Sequence, residues 1–182
     1  MSVLLWFLGL ALAAPVGRVQ GDLTLGMRAG VAGQWTRALA PHLEVGARLQ
    51  VATAVYGGAP AWVREGLEPH HNLYLTPQAV VGVHTGQTAV SAALLLAPGL
   101  EVYTFRETRT VGPLREPVTY GHTGLRGAHA VLADLRVRPK GGHGVHLLLA
   151  VPVPLAPSGF LYIEHLYAGL GVDLAMGARR AR

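Results

Sequence analysis

The stretch LEVGARLQVATAV, residues 43–55, alternates between two kinds of side chain. Its odd positions hold leucine, valine, alanine and threonine, whereas its even positions hold glycine, alanine, glutamine and the two charged residues Glu44 and Arg48. A period of two predicts a β-strand whose two faces meet different environments. The stretch is also long enough to cross a lipid bilayer at a tilt, which takes a strand about 9–11 residues.

The composition of the whole chain also favours membrane-spanning strands. Hydrophobic residues make up 51% of the 182 residues and charged residues only 14%, against about 25% charged residues in an ordinary soluble protein. The sequence contains no run of about 20 apolar residues that could form a membrane-spanning helix. A chain of this length suits a single domain.

The same inventory argues against several function classes. The formal net charge of +5 is spread along the chain, without a basic patch interleaved with aromatic residues, so no nucleic-acid partner is expected. The chain has no cysteine, which excludes disulfides, a thiol nucleophile and thiolate metal ligands.

The N-terminal segment MSVLLWFLGLALAA, residues 1–14, predicts export. Its apolar run has the length of a signal-peptide core, and small residues follow it, so we expect a signal peptide within residues 1–21 with cleavage near residue 13 or near residue 21. A retained hydrophobic anchor is the competing interpretation. The domain division that follows is a signal peptide at 1–21, a β-barrel domain at 22–178 and a basic tail at 179–182.

Alternation recurs along the chain and predicts eight strands joined in sequence. We expect strands to end where Leu-x-Pro triplets recur, at residues 39–41, 96–98 and 155–157. Pro77 lies inside one predicted strand, although proline cannot donate a hydrogen bond to the ladder. An even number of strands allows the sheet to close, which removes the edges that lipid does not tolerate. The predicted fold is therefore an all-β, eight-stranded antiparallel up-and-down (meander) transmembrane β-barrel. The predicted strands span residues 23–39, 43–55, 71–84, 87–96, 100–110, 119–138, 143–155 and 160–176.

The polar face of these strands indicates which side meets lipid. That face is rich in glycine and alanine, and the interior of an eight-stranded barrel has room only for side chains. Its charges have both signs and can pair across the interior as a structural salt-bridge network, while the chain has a single lysine, Lys140, too few for a soluble exterior. We therefore expect lipid outside, with a soluble periplasmic lipocalin-like barrel that binds an apolar ligand as the alternative. The charged residues on the polar face are Arg28, Glu44, Arg48, Glu101, Arg126, Asp134, Arg136 and Asp173.

The signal peptide, the alternating strands and the Leu-x-Pro turns resemble the small outer-membrane β-barrels of Gram-negative bacteria, the OmpA/OmpX-type. The resemblance covers the mature chain as a pattern and includes no specific family motif. It implies insertion by the outer-membrane assembly machinery, with outer-membrane lipids as partners, a side-chain-filled interior and a structural or surface-interaction role. The chain differs from this family at its end, because residues 177–182 follow the last strand where such proteins usually finish on an aromatic residue.

The nine histidines suggest a metal site, but their spacing does not support one. His143 and His146 are three residues apart in a strand, so they point to opposite faces and cannot share a metal without a bend. A loop site at His70 and His71 is the remaining possibility. We expect no metal ligand and no cofactor.

Nucleophilic chemistry has little support. Serine occurs only at Ser2, Ser91 and Ser158, and no histidine is spaced from Ser91 or Ser158 in a way that suggests a base for a serine nucleophile. The neighbours Glu164 and His165 point in opposite directions on a strand. We expect no catalytic residue and no enzyme activity, with a small pore or a lipid-modifying enzyme that uses Ser91 as the alternatives.

Overall fold

A computed structural model describes residues 17–26, 28–54, 67–86, 88–111, 116–139, 143–153 and 166–176. None of these residues belongs to a helix with the length and hydropathy that a membrane span requires. The strands are β1 Gly17–Gly26, β2 Arg28–Ala40, β3 Leu43–Ala54, β4 Leu67–His84, β5 Val90–Ala97, β6 Leu100–Val111, β7 Glu116–Gly127, β8 Ala130–Val137, β9 His143–Pro152 and β10 Tyr167–Met176.

The strands form one sheet that closes on itself. The hydrogen-bonded order runs β3-β2-β1-β10-β9-β8-β5-β4, and β4 pairs again with β3. Every pairing is antiparallel, and β6 and β7 continue β5 and β8 towards one end. The predicted eight-stranded up-and-down barrel is confirmed, because β5 with β6 and β7 with β8 make two long strands among the eight around the ring.

The predicted turn at Ala97-Pro98-Gly99 is wrong, because the strand continues through it. The isolated bridge between Gln78 and Gly99 keeps the register of β4 against both β5 and β6. Ala79 donates its N–H to the Pro98 carbonyl oxygen at 2.9 Å, and Pro98 has no N–H to donate in return. The proline therefore interrupts the ladder without turning the chain.

The predicted single strand at residues 23–39 is also wrong, because the chain reverses between Gly26 and Arg28. Leu25 of β1 pairs with Ala29 of β2, so every pair joins two odd or two even residues. Alternation therefore continues through the reversal, and no change of phase marks it in the sequence. This missed turn offsets the false turn at Pro98, which is why the total of eight strands is still right.

Strand β1 begins at Gly17, five residues before the predicted start of the barrel domain at 22. Its first residues pair with β10, and Gln20 is only 1% exposed. Of the two predicted cleavage positions, the one near residue 13 leaves β1 whole. The first 16 residues and the basic tail at 179–182 lie outside the described residues.

The two ends of the barrel differ. At one end, which we call the turn end, β2 joins β3 through Pro41 and His42, and β1 begins beside the last residues of β10. At the other end, the loop end, residues 55–66 and 154–165 separate consecutive strands of the described part. Residues 117–123 of β7 are exposed on both faces at the loop end, so the β6–β7 hairpin projects beyond the ring.

The faces follow the predicted alternation. In β3 the even-numbered residues Glu44 and Arg48 are buried inside the barrel, and Leu49 and Val51 face outwards. The interior also contains an apolar cluster, whose residues come from β4, β5, β8, β9 and β10. This cluster fills the part of the core that the charged side chains leave. Its members are Val80, Ala93, Leu95, Ala97, Ala130, Leu132, Leu148, Ala150 and Tyr167.

Candidate functional site

The barrel interior is filled by charged side chains that come from strands far apart in sequence. We use the name charge chain for six groups that follow one another across the interior: Glu44, Arg136, Asp134, His146, Asp22 and Arg48. Four strands, β1, β3, β8 and β9, supply these groups, because each inward position of an alternating strand points into the same narrow space.

The first half of the charge chain joins β8 and β3, which lie three positions apart in the ring. Arg136 on β8 donates to both carboxylate oxygens of Glu44 on β3, with Nη1 at 3.0 Å and Nη2 at 2.7 Å. Its Nε donates to Asp134 at 2.6 Å. A guanidinium that uses a bidentate fork on one acid and its Nε–H on another is held in one orientation.

The second half returns to β3 through an imidazole. His146 on β9 lies between two carboxylates, with Nδ1 3.0 Å from Asp134 Oδ1 and Nε2 2.5 Å from Asp22 Oδ1. Asp22 in turn accepts from Arg48 Nη1 at 2.5 Å. The charge chain thus begins and ends on β3 and passes through β8, β9 and β1.

Two amides join the charge chain from β1 and β2. Gln20 donates to Asp134 Oδ2 at 3.0 Å and accepts from Gln34 at 2.8 Å. These neutral groups occupy acceptor sites that the arginines leave open, which lowers the cost of burying the carboxylate.

A second cluster lies near the turn end. Arg138 donates to Asp173 through Nε and lies with Nη1 3.3 Å from Ser91 Oγ. Arg18 approaches the same Asp173 oxygen at 3.7 Å from β1. Two guanidinium groups therefore share the Asp173 carboxylate at the turn end of the interior.

A third cluster occupies the loop end. Glu101 is fully buried, and its carboxylate accepts from Arg28 at 2.5 Å, Arg126 at 2.8 Å and Thr76 at 3.1 Å. The Arg28 guanidinium carbon also lies 3.4 Å from the ring centre of Tyr74.

The other two inward tyrosines face arginines in the same way. The Arg126 guanidinium carbon lies 5.0 Å from the Tyr103 ring centre, and that of Arg48 lies 5.9 Å from the Tyr167 ring centre. Guanidinium groups within about 6 Å of an aromatic face gain a cation–π attraction. These rings therefore stabilise the guanidinium groups of the interior in addition to the carboxylates.

All five buried acids of the described residues contact at least one basic group. The partners are Arg48 and His146 for Asp22, Arg136 for Glu44, Arg28 and Arg126 for Glu101, Arg136 and His146 for Asp134, and Arg138 and Arg18 for Asp173. The predicted salt-bridge network is present, and every charged residue assigned to the polar face takes part in it.

The histidines are placed as their spacing predicts. His143 is exposed and His146 is buried, so the two point into different environments. The side chains of His70 and His71 lie outside the described part. Among the residues that the structure describes, no group of three or more histidine, cysteine or acidic side chains is arranged to hold a metal ion.

Ser91 is buried, and the partner of its hydroxyl is the Arg138 guanidinium at 3.3 Å. A guanidinium does not act as a general base, because it stays protonated in proteins. Ser2, Ser158 and the neighbours at 164–165 lie outside the described residues.

Sequence reasoning missed the partner of each charge and the role of the tyrosines. Alternation assigns Tyr74, Tyr103 and Tyr167 to the inward face, which could have indicated that they stack on arginines. Which arginine each one meets depends on how the strands close into a ring, and the sequence carries no local signal for that.

The fold has a known counterpart. The chain is similar in structure to the N-terminal β-barrel domain of OprF from Pseudomonas aeruginosa, with a TM-score of 0.56, 12% sequence identity, and coverage of 89% of this chain and 98% of that one. No family model and no curated protein matches the chain. At this identity the similarity concerns the fold, and it confirms the predicted resemblance to small outer-membrane barrels at that level.

Proposed function

We propose that this chain is an outer-membrane β-barrel protein, exported through a signal peptide, whose eight strands span lipid around a filled interior. Its role is structural or in surface interaction, and it performs no catalysis. The observation that carries the proposal is the distribution of side chains, which is the reverse of that in a soluble protein. Leucines and valines cover the outside, and paired charges fill the inside.

The apolar surface surrounds the ring. Soluble monomers rarely expose apolar patches larger than a few hundred Å². Here every strand pairing of the ring presents large apolar side chains outwards, and lipid is the solvent that such a surface suits. The exposed leucines and valines of the described ring strands include Leu23, Leu25, Val31, Leu49, Val51, Leu73, Leu75, Val81, Val83, Leu94, Leu96, Leu135, Val137, Val145, Leu147, Leu149, Leu170, Val172 and Leu174.

The ends of the barrel support one orientation. Transmembrane barrels of bacteria have short turns on the periplasmic side and longer loops outside the cell. We therefore assign the turn end to the periplasm and the loop end to the exterior. The projecting β6–β7 hairpin, exposed at residues 117–123, is then the described part best placed for a surface interaction.

Membrane residence is tested by fractionation. Expressed from residue 1 in a Gram-negative host, the chain should be found in the outer-membrane fraction and resist extraction with alkaline carbonate. On a gel, unboiled and boiled samples should migrate differently, because a closed barrel resists detergent unfolding. Recovery as a monomer in detergent-free periplasmic extract would instead support the lipocalin-like alternative.

The filled interior is tested by conductance. Purified protein in a planar bilayer should show no steady current at neutral pH, because buried side chains fill the interior, Arg48 from β3 and Leu132 and Arg136 from β8. A stable open channel would contradict the filled interior and support the pore alternative. A lipid-modifying activity that Ser91→Ala abolishes would contradict the absence of catalysis.

A further inference from the structure

We propose that a proton bound by His146 is a structural component of the barrel, so that the interior closes around an imidazolium ion and loosens when that ion is neutralised. The inference goes beyond the proposed function, because it concerns a single buried group and holds whatever the barrel does at the cell surface.

The chemistry of imidazole leads to this inference. A neutral imidazole carries one N–H donor and one acceptor nitrogen, whereas imidazolium donates from both nitrogens. Both nitrogens of His146 lie within ion-pair distance of a carboxylate oxygen, Nδ1 at 3.0 Å from Asp134 and Nε2 at 2.5 Å from Asp22. In the neutral form one nitrogen lone pair would lie against a carboxylate oxygen, which is repulsive.

Charge alternation along the charge chain leads to the same conclusion. With a protonated His146, the six groups alternate between acid and base and sum to zero. With a neutral His146, Asp134 and Asp22 lie on either side of an uncharged ring, and the charge chain carries one net negative charge in an interior without bulk water. Unbalanced buried charge is far more costly than a balanced network.

The neighbours of His146 on the adjoining strands fit the protonated form. On β10 its direct pair is Gly171, which brings no charge. On β8 its direct pair is Arg136, and three N–H groups of that guanidinium bind Glu44 and Asp134.

Two further groups approach from β1 and β3. Asp22 supplies the second carboxylate, and Arg48 reaches the imidazole only through that carboxylate, since it contacts the other Asp22 oxygen. The acids that touch His146 directly therefore outnumber the bases that do.

The direct test is nitrogen NMR of the full mature chain in detergent micelles, with ¹⁵N-labelled histidine. The His146 signals are assigned by their loss in His146→Gln. Both His146 nitrogens should have the chemical shifts of imidazolium at pH 7 and at pH 8. The exposed His143 serves as the internal reference for a ring in contact with water. One protonated and one bare nitrogen on His146 at pH 7 would overturn the proposal.

A second measurement distinguishes a role of the proton on His146 from a role of its side-chain packing. The urea midpoint of unfolding should fall between pH 7 and pH 10 in the natural chain and stay nearly flat over the same range in His146→Gln, which retains every other titrating group. Equal slopes in the two proteins would refute the proposal. The proposed function would still stand in that case, because membrane fractionation does not depend on this histidine.

A charge-balancing variant completes the test. His146→Gln leaves one excess acid, and adding Asp134→Asn removes it, so the double variant should recover part of the midpoint that the single variant loses. A purely structural role predicts a further loss instead, because the new amide would also give up the carboxylate's contact with Arg136.

Discussion

Arg136 on β8 binds both carboxylate oxygens of Glu44 on β3, three positions away around the ring and 92 residues away in sequence. Both side chains are almost completely buried, at 2% and 4% exposure. Their bond joins, through the interior, two strands that do not pair with each other, so the interior acts as a crosslink as well as a filling.

Removing one partner of this pair should destabilise the barrel strongly. Arg136→Met leaves Glu44 buried without its cation, and breaking a buried pair in this way costs about 3–5 kcal/mol. The measurement is urea unfolding in detergent or vesicles, followed by tryptophan fluorescence. Arg37→Met is the matched control: Arg37 lies exposed on β2, and its replacement should change the free energy of unfolding by less than about 1 kcal/mol. Equal losses in the two variants would contradict the structure, whereas a smaller loss in Arg136→Met with Glu44→Gln would support it.

The loop-end cluster should depend on Glu101. Glu101→Gln removes a buried negative charge that Arg28 and Arg126 share, and breaking buried ion pairs in this way should cost about 3 kcal/mol or more. Thr76→Val removes one neutral donor to the same carboxylate and should cost only about 1 kcal/mol. Thermal unfolding of the two variants side by side checks the order, and a Thr76 effect larger than the Glu101 effect would refute it.

The cost of placing a charged residue on the outward face should depend on its depth in the bilayer. Leu147 lies midway along β9, between Leu135 and Leu170, so Leu147→Arg should lower the free energy of unfolding in vesicles by about 2–4 kcal/mol. Leu174 pairs with His143 where β9 begins at the turn end, and Leu174→Arg should cost no more than about 1 kcal/mol. A barrel with a water-facing exterior would tolerate both changes equally, so equal values for the two variants would count against membrane insertion.

The backbone of β4 at Gln78 passes close to Gly99, the residue after Pro98, so we expect a larger side chain at Gly99 to destabilise the barrel. A Cβ at Gly99 would lie 2.9 Å from the Gln78 Cα and 2.6 Å from its Cγ, and overpacking of this kind typically costs about 1–3 kcal/mol. Gly99→Ala should therefore lower the midpoint of unfolding. At Gly33 a Cβ would meet nothing within 4 Å, so Gly33→Ala should leave the midpoint unchanged or raise it slightly. An unchanged midpoint in Gly99→Ala would contradict the continuous strand through Pro98.

Strands and the two faces of each strand were predictable from sequence because they are local properties. In residues 43–55, the side chains that share a face follow from a period of two, whatever the strand pairs with. Which face is inside followed from the whole chain, because the polar face is rich in small residues and in charges of both signs and the chain has a single lysine, so Glu44 and Arg48 could be assigned to the interior before any pairing was known.

Turns were harder to predict than strands. The reversal between Gly26 and Arg28 keeps odd residues paired with odd residues, so it leaves no phase change in the sequence. Pro98 carries a turn signal by residue type, and the inward positions on both sides of it, Ala97 and Glu101, keep the same parity. Because the reversal between Gly26 and Arg28 also keeps parity, periodicity alone does not distinguish a turn from a continuous strand.

Residue order alone was enough to predict that each strand has an apolar and a polar face, because alternation needs only the geometry of one strand, and the composition of the polar face assigned the charges to the interior. The contact of Arg136 with Glu44 and the position of His146 between Asp22 and Asp134 required the closed ring. Those contacts depend on the closure of β1 against β10 and of β3 against β4, which brings residues far apart in sequence into one narrow interior.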